Sequence, residues 1–195
     1  MKVAVIAWGS LIWEPDALKV ADAFTAQGPL LPIEFCRVST AGVRKDILTL
    51  VIDPDDGTLC KTYAAPSAFV SLEEAIDNLR DREGTPARTI GFVDLASGKR
   101  GEAAVESHPE AIETIAAWAE ASGYDAAIWT ALASNFDDRV GEPFSITAAI
   151  AYLEKLERQD AETFAAALAY IRNAPPEVDT AVRGEVARRW GAAPA

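Results

Sequence analysis

Histidine is almost missing from this chain: His108 is its single example, beside one methionine, Met1, and two cysteines, Cys36 and Cys60. A site with two or three histidine ligands cannot be built within one chain. Any histidine-based triad would have to use His108. The cysteines stand 24 residues apart with no C-x-x-C spacing, which matches no metal or redox motif. They fall in two apolar segments that read as neighbouring strands. The expectation is a pair of buried free thiols in a reducing, cytoplasmic setting. Positive charge is also short: 18 Lys and Arg against 30 Asp and Glu leave a net charge of −12. Nucleic acid and anionic membrane both need a positive footprint, so neither is expected as a partner.

What is present suits a folded domain. Half of the 195 residues are apolar, enough to bury a core in one domain or in one domain with an appendage. The apolar run Val3–Trp8 after Lys2 has the look of a short signal peptide, and Ala21-Asp22-Ala23 mimics a cleavage site. Gly9-Ser10 interrupts that run, however, and Glu14, Asp16 and Lys19 follow before any cleavage point. It is also too short to span a membrane. The expected structure is a buried first strand, Lys2 to Ala7, entering a loop.

Further strands are expected at 31–39, 46–53, 58–64, 88–95, 101–106 and 125–131. Asp53-Pro-Asp-Asp-Gly57 reads as one hairpin turn and Ala96-Ser-Gly-Lys99 as another. Ser71 with Glu74 forms a capping box for a helix whose apolar face is Leu72, Ala75, Ile76 and Leu79, stopped by Gly84. A second helix is expected from Ser107, with Pro109 in its first turn and Ile112, Ile115, Ala116 and Ala119 facing inward. After about residue 140 the chain reads as helical. Ser145 opens one helix, Asp160 caps another, Pro175-Pro176 breaks the chain, and a last helix starts near Asp179. The pattern predicts an α+β fold: a domain over 1–140, with 141–195 as a helical extension packed on it.

Two segments are candidates for chemistry. In Ala7-Trp-Gly-Ser-Leu-Ile-Trp13 a strand ends at a glycine, where successive amides can cradle a carboxylate. The competing reading is a plain strand-to-loop turn with both tryptophans in the core. In Asp81-Arg-Glu-Gly84 a carboxylate meets the negative end of a helix dipole, which raises its pKa and suits a general base. The competing reading is a polar last turn in which Arg82 supplies the favourable charge.

Together these segments resemble the gamma-glutamyl cyclotransferase superfamily, in particular its ChaC-like branch and an uncharacterised bacterial group within it. Ala7–Trp13 resembles the Y-G-S-L-[IV]-W motif, and Arg82-Glu83-Gly84 resembles the segment with the catalytic glutamate. Phe35–Thr40 and Thr49–Val51 resemble the family's middle strands. The resemblance covers roughly residues 1 to 130 and implies a small mixed β-barrel flanked by helices. It implies cyclisation of a γ-glutamyl amine or peptide to 5-oxoproline, with Glu83 as general acid/base. The amides of Gly9, Ser10 and Leu11, beside Trp8, would hold the substrate, and no cofactor or metal is implied. Trp8 stands where the family usually has tyrosine, and the Gly-Gly-Tyr that commonly follows the glutamate is absent, so glutathione specificity does not carry over.

Other residues carry open alternatives. Arg37, with Arg44 and Lys45, either meets a substrate carboxylate or is solvated. Asn135 either binds ligand or caps a turn. Ser39 shares the strand of Arg37, and His108 is expected at the surface of a helix start. Gly9-Ser10 lacks the G-x-S-x-G elbow of a serine hydrolase. The helical tail either covers the site or forms a homodimer surface. The alternative to an enzyme is a non-catalytic member of the same fold that binds a small carboxylate or a partner protein.

Overall fold

The computed structural model describes residues 1–192. Its strands are β1 (Val3–Ala7), β2 (Leu30–Val38), β3 (Leu48–Ile52), β4 (Thr58–Lys61), β5 (Tyr63–Pro66), β6 (Ile90–Asp94) and β7 (Ala126–Thr130). Its α-helices are α1 (Leu72–Glu83), α2 (Glu102–Ser107), α3 (Pro109–Ala121), α4 (Phe136–Val140), α5 (Ile146–Gln159), α6 (Ala161–Asn173) and α7 (Ala181–Trp190). The fold is mixed α+β. No helix among the described residues is long and apolar enough to cross a membrane.

The chain divides into two compact units, each drawn from two stretches: 1–31 with 61–132, and 32–60 with 133–195. The boundary expected near residue 140 falls inside the second. The first unit holds a four-stranded sheet ordered β5-β1-β7-β6. β1 is apolar and buried along its whole length, as a central strand covered on both faces must be. It pairs antiparallel with β5 and parallel with β7. Helix α1 starts where Ser71 Oγ accepts the Glu74 amide at 3.4 Å and stops at Gly84, whose φ of 60° is the left-handed conformation glycine adopts without strain. Its Ala75 and Leu79 join Val3, Val5, Ala7, Leu11 and Ile128 in one core.

The second unit holds a three-stranded sheet ordered β3-β2-β4. Its helices begin where the sequence marks them. Ser145 Oγ accepts the Ala148 amide at 3.1 Å, and Asp160 Oδ1 the Thr163 amide at 3.0 Å. Helix α7 is capped by Thr180 Oγ1, which accepts the Arg183 amide at 3.3 Å, and by a second group from far away. Buried Glu34 on β2 accepts the Ala181 amide at 3.0 Å and the Val182 amide at 3.3 Å through Oε2, and the Phe35 amide at 2.8 Å through Oε1. Cys36 and Cys60 are buried free thiols. Burial raises both, Cys60 to about 11, so neither is a thiolate nucleophile at neutral pH.

Four expectations need correction. The closed β-barrel is not formed; the strands make two separate sheets. The strand expected over 58–64 divides between them at buried Thr62, whose amide and hydroxyl both turn to Pro29 O, at 3.2 and 2.7 Å. The free edge of β6 is occupied by a single bridge, Val93 to Arg100, and by the Gly101 amide on Phe92 O at 2.9 Å. The strand expected over 101–106 is instead helix α2, because a Gly followed by Glu-Ala-Ala favours helix initiation once the edge has been met. His108, expected at the surface, is 1% exposed. Its amide bonds Ala104 O at 2.9 Å and its carbonyl accepts the Ala111 amide at 3.1 Å, so the tight α2–α3 junction turns the residue inward.

Two outcomes follow from this packing. A Cβ on Gly91 would stand 2.5 Å from the fully buried Trp129 ring, so Gly91→Ala should lower stability by about 2 kcal/mol in urea unfolding. Burial raises the Glu34 carboxyl above its ordinary 4.5, against the pull of donors from Thr180, Phe35, Val182 and Ala181. The folded chain therefore holds this proton more tightly than the unfolded chain does. That contribution is whole below pH 4.5 and is lost as pH rises through the raised value. The unfolding free energy of the wild type relative to Glu34→Gln should accordingly fall from pH 4.5 toward neutrality.

Candidate active site

Beyond Ala7 the chain leaves β1 and closes a compact loop. The Ile12 amide donates to Gly9 O at 3.0 Å and the Glu14 amide to Ser10 O at 2.8 Å. Trp8, Ser10 and Leu11 are buried, and Leu11 belongs to the core beneath. The amides of Gly9, Ser10 and Leu11 have no acceptor among the described residues. They form a short run of donors at the carboxyl end of a central strand.

The last turn of α1 meets this loop. Leu79 anchors the helix in the core, and positions three and four residues later lie on the same face, which puts Arg82 and Glu83 there. The Arg82 side chain is 4% exposed and that of Glu83 is 19% exposed. Arg82 Nη1 donates to Glu83 Oε1 at 2.7 Å. Its Nη2 donates to Glu14 O at 2.5 Å and to Ser10 Oγ at 3.4 Å, with Asp16 Oδ2 at 3.9 Å. One guanidinium thus ties the carboxylate to the loop. Glu83 Oε2 has no hydrogen-bond partner among the described residues.

Sequence reasoning placed Trp8, Gly9, Ser10, Leu11 and Glu83 in one site; all five lie in the first unit, and Arg82 bonds two of them, Glu83 and Ser10. It treated Arg82 only as a charge for the helix dipole, and the signal it passed over was the three-residue spacing from Leu79. It also missed Thr130. Continuing the β1–β7 register past Val5–Ile128 sets Thr130 level with Ala7, and its Oγ1 is buried without a partner among the described residues.

Arg37 and Asn135 belong to the second unit. Arg37 Nη1 donates to Ala133 O at 2.6 Å. The Asn135 amide takes the place of a strand neighbour: Oδ1 accepts from the Val38 amide at 2.8 Å, and Nδ2 donates to Val38 O at 3.0 Å. Arg44 lies over the Tyr170 ring, 5.5 Å from its centroid.

Comparison with family models, curated proteins and solved structures returns no match.

The two polar groups that meet Arg82 should differ in weight. Glu83→Ala leaves a nearly buried guanidinium without its close anion and should cost about 2 kcal/mol in urea unfolding. Ser10→Ala removes only a contact at 3.4 Å and should stay within about 0.5 kcal/mol of wild type.

Proposed function

We propose that this protein is a cofactor-independent cyclotransferase that converts a small γ-glutamyl amine or peptide to 5-oxoproline. The observation that carries the reading is Glu83, whose Oε2 has no partner among the described residues, tied by Arg82 to the loop in which the Gly9, Ser10 and Leu11 amides likewise have none. The reading rests on this loop and carboxylate, not on a closed barrel.

The substrate's α-ammonium group is the first obstacle, since a protonated amine has no lone pair. Glu83 takes one proton from it. The freed amine attacks the γ-carbonyl, forming the ring N–C bond and moving the carbonyl pair onto oxygen. The Gly9–Leu11 amides donate to that oxygen as charge develops. When the tetrahedral centre collapses, the exocyclic C–N bond breaks and Glu83 returns its proton to the leaving nitrogen. The second proton lost by the ring nitrogen passes through the same carboxylate to the released amine. Trp8 stands where the family's usual tyrosine would both donate and accept, and an indole can only donate. Holding the substrate bent toward its own carbonyl supplies the proximity such a cyclisation needs.

The Arg82–Glu83 pair also favours a second reading, a non-catalytic binder of small carboxylates, in which the pair is only a recognition element. A panel of γ-glutamyl amines and peptides assayed for 5-oxoproline separates the two. The wild type should release it from at least one compound, and Glu83→Gln should reduce that rate by about 100-fold or more. Release that survives the substitution overturns the role of Glu83. Binding without any release supports the non-catalytic reading.

A further inference from the structure

The last turn of α1 carries two arginines that do different things. Arg80 is 33% exposed and pairs with Asp77 at 2.5 Å and Asp81 at 2.8 Å. It satisfies the helix dipole from the solvent side. Arg82, two residues on, is turned inward, and its Nε is buried without a partner among the described residues. A buried guanidinium needs an anion close by, because an uncompensated charge in that position is strongly unfavourable. Its close anion is Glu83 Oε1 at 2.7 Å. The next, Asp16 Oδ2, is 3.9 Å away on a side chain 73% exposed. The remaining contacts, Ser10 Oγ and Glu14 O, are neutral.

That arrangement has a consequence during the cyclisation proposed above, on which this inference rests. When Glu83 accepts the substrate's proton it becomes neutral and no longer balances Arg82. Once the amine has attacked, negative charge reappears on the carbonyl oxygen of the tetrahedral centre. The total charge is unchanged and only its position moves. We propose that Arg82 is the counter-charge of the cycle: it pairs with Glu83 before proton transfer and stabilises the carbonyl oxygen after it. Its Nη2 contacts keep the Gly9–Leu11 loop beside that same oxygen. Arg82 thus positions Glu83 and the loop and also sets its fixed charge against the reacting oxygen, complementary to the transition state and not to the ground state alone.

The test compares Arg82→Lys with Arg82→Gln. Lysine keeps the charge but not the planar fork, and glutamine keeps hydrogen bonding without the charge. Amide exchange at Ile12 and Glu14 reports the loop, and 5-oxoproline release gives kcat and KM. Exchange should rise to a similar degree in both variants. The kcat of Arg82→Gln should fall by about 100-fold, while Arg82→Lys should stay within about 10-fold of wild type. A purely structural clamp predicts equal loss in the two, and that result overturns the proposal. Full activity in Arg82→Gln, or failure of both variants to fold, overturns it as well. A wild type that releases no 5-oxoproline from any compound defeats the cyclotransferase reading before a variant is made. Active wild type with equally damaged variants defeats the counter-charge alone.

Discussion

Everything at the candidate site hangs on β1 having no free edge. It lies between antiparallel β5 and parallel β7, so its backbone groups are taken on both sides. In a dry interior that pairing is obligatory, since a lost backbone hydrogen bond is not replaced by water. Among the described residues, donors without a protein acceptor therefore begin where the ladder ends, at Gly9. Helix α1 reaches the same place by a separate route. Leu79 and Ala75 pack against the side chains of β1 and β7, and one further turn carries Arg82 and Glu83 to the loop. The site is assembled by the core beneath it.

The sequence was most legible where a local rule had a single solution. Helices α1, α5 and α6 begin at side-chain caps, and Ser71, Ser145 and Asp160 each announce one. β1 was legible because a fully apolar pentapeptide bounded by Gly-Ser has few other uses. The misses lie where tertiary pairing decides. The segment 101–106 alternates weakly enough to pass for a strand, yet the β6 edge is already met at Gly101 and the next residues coil into α2. Thr62 looks like the middle of a strand, and only its double bond to Pro29 O shows that the ladder ends there. His108 reads as a surface cap until the abrupt start of α3 turns it inward. The joining of Glu83 to the Ser10 loop was anticipated from motif order. The agent that joins them, Arg82, was visible only as a spacing from Leu79.

Two buried ionisable side chains illustrate different solutions to the same problem. Arg82 is held by a carboxylate next to it in sequence and by neutral oxygens of the loop. Glu34 has amide and hydroxyl donors and no cation among its named partners, and burial wins the contest over its proton. The first arrangement keeps a pair of opposite charges beside a loop with unengaged amides. The second fastens a helix to a strand.

Glu34 also sets an order of events in the making of the chain. Its helix partners, the amides of Ala181 and Val182, lie 147 and 148 residues downstream. A ribosome adding about 5–20 residues each second leaves that carboxylate without them for roughly 7–30 s. Throughout that interval β2 can pair with β3 and β4, but Glu34 must stay hydrated, so this sheet cannot bury that part of its surface. The stretch 61–132, which completes the first unit, is synthesised in the meantime. The second unit is thus the last to consolidate, with its final seal arriving from α7.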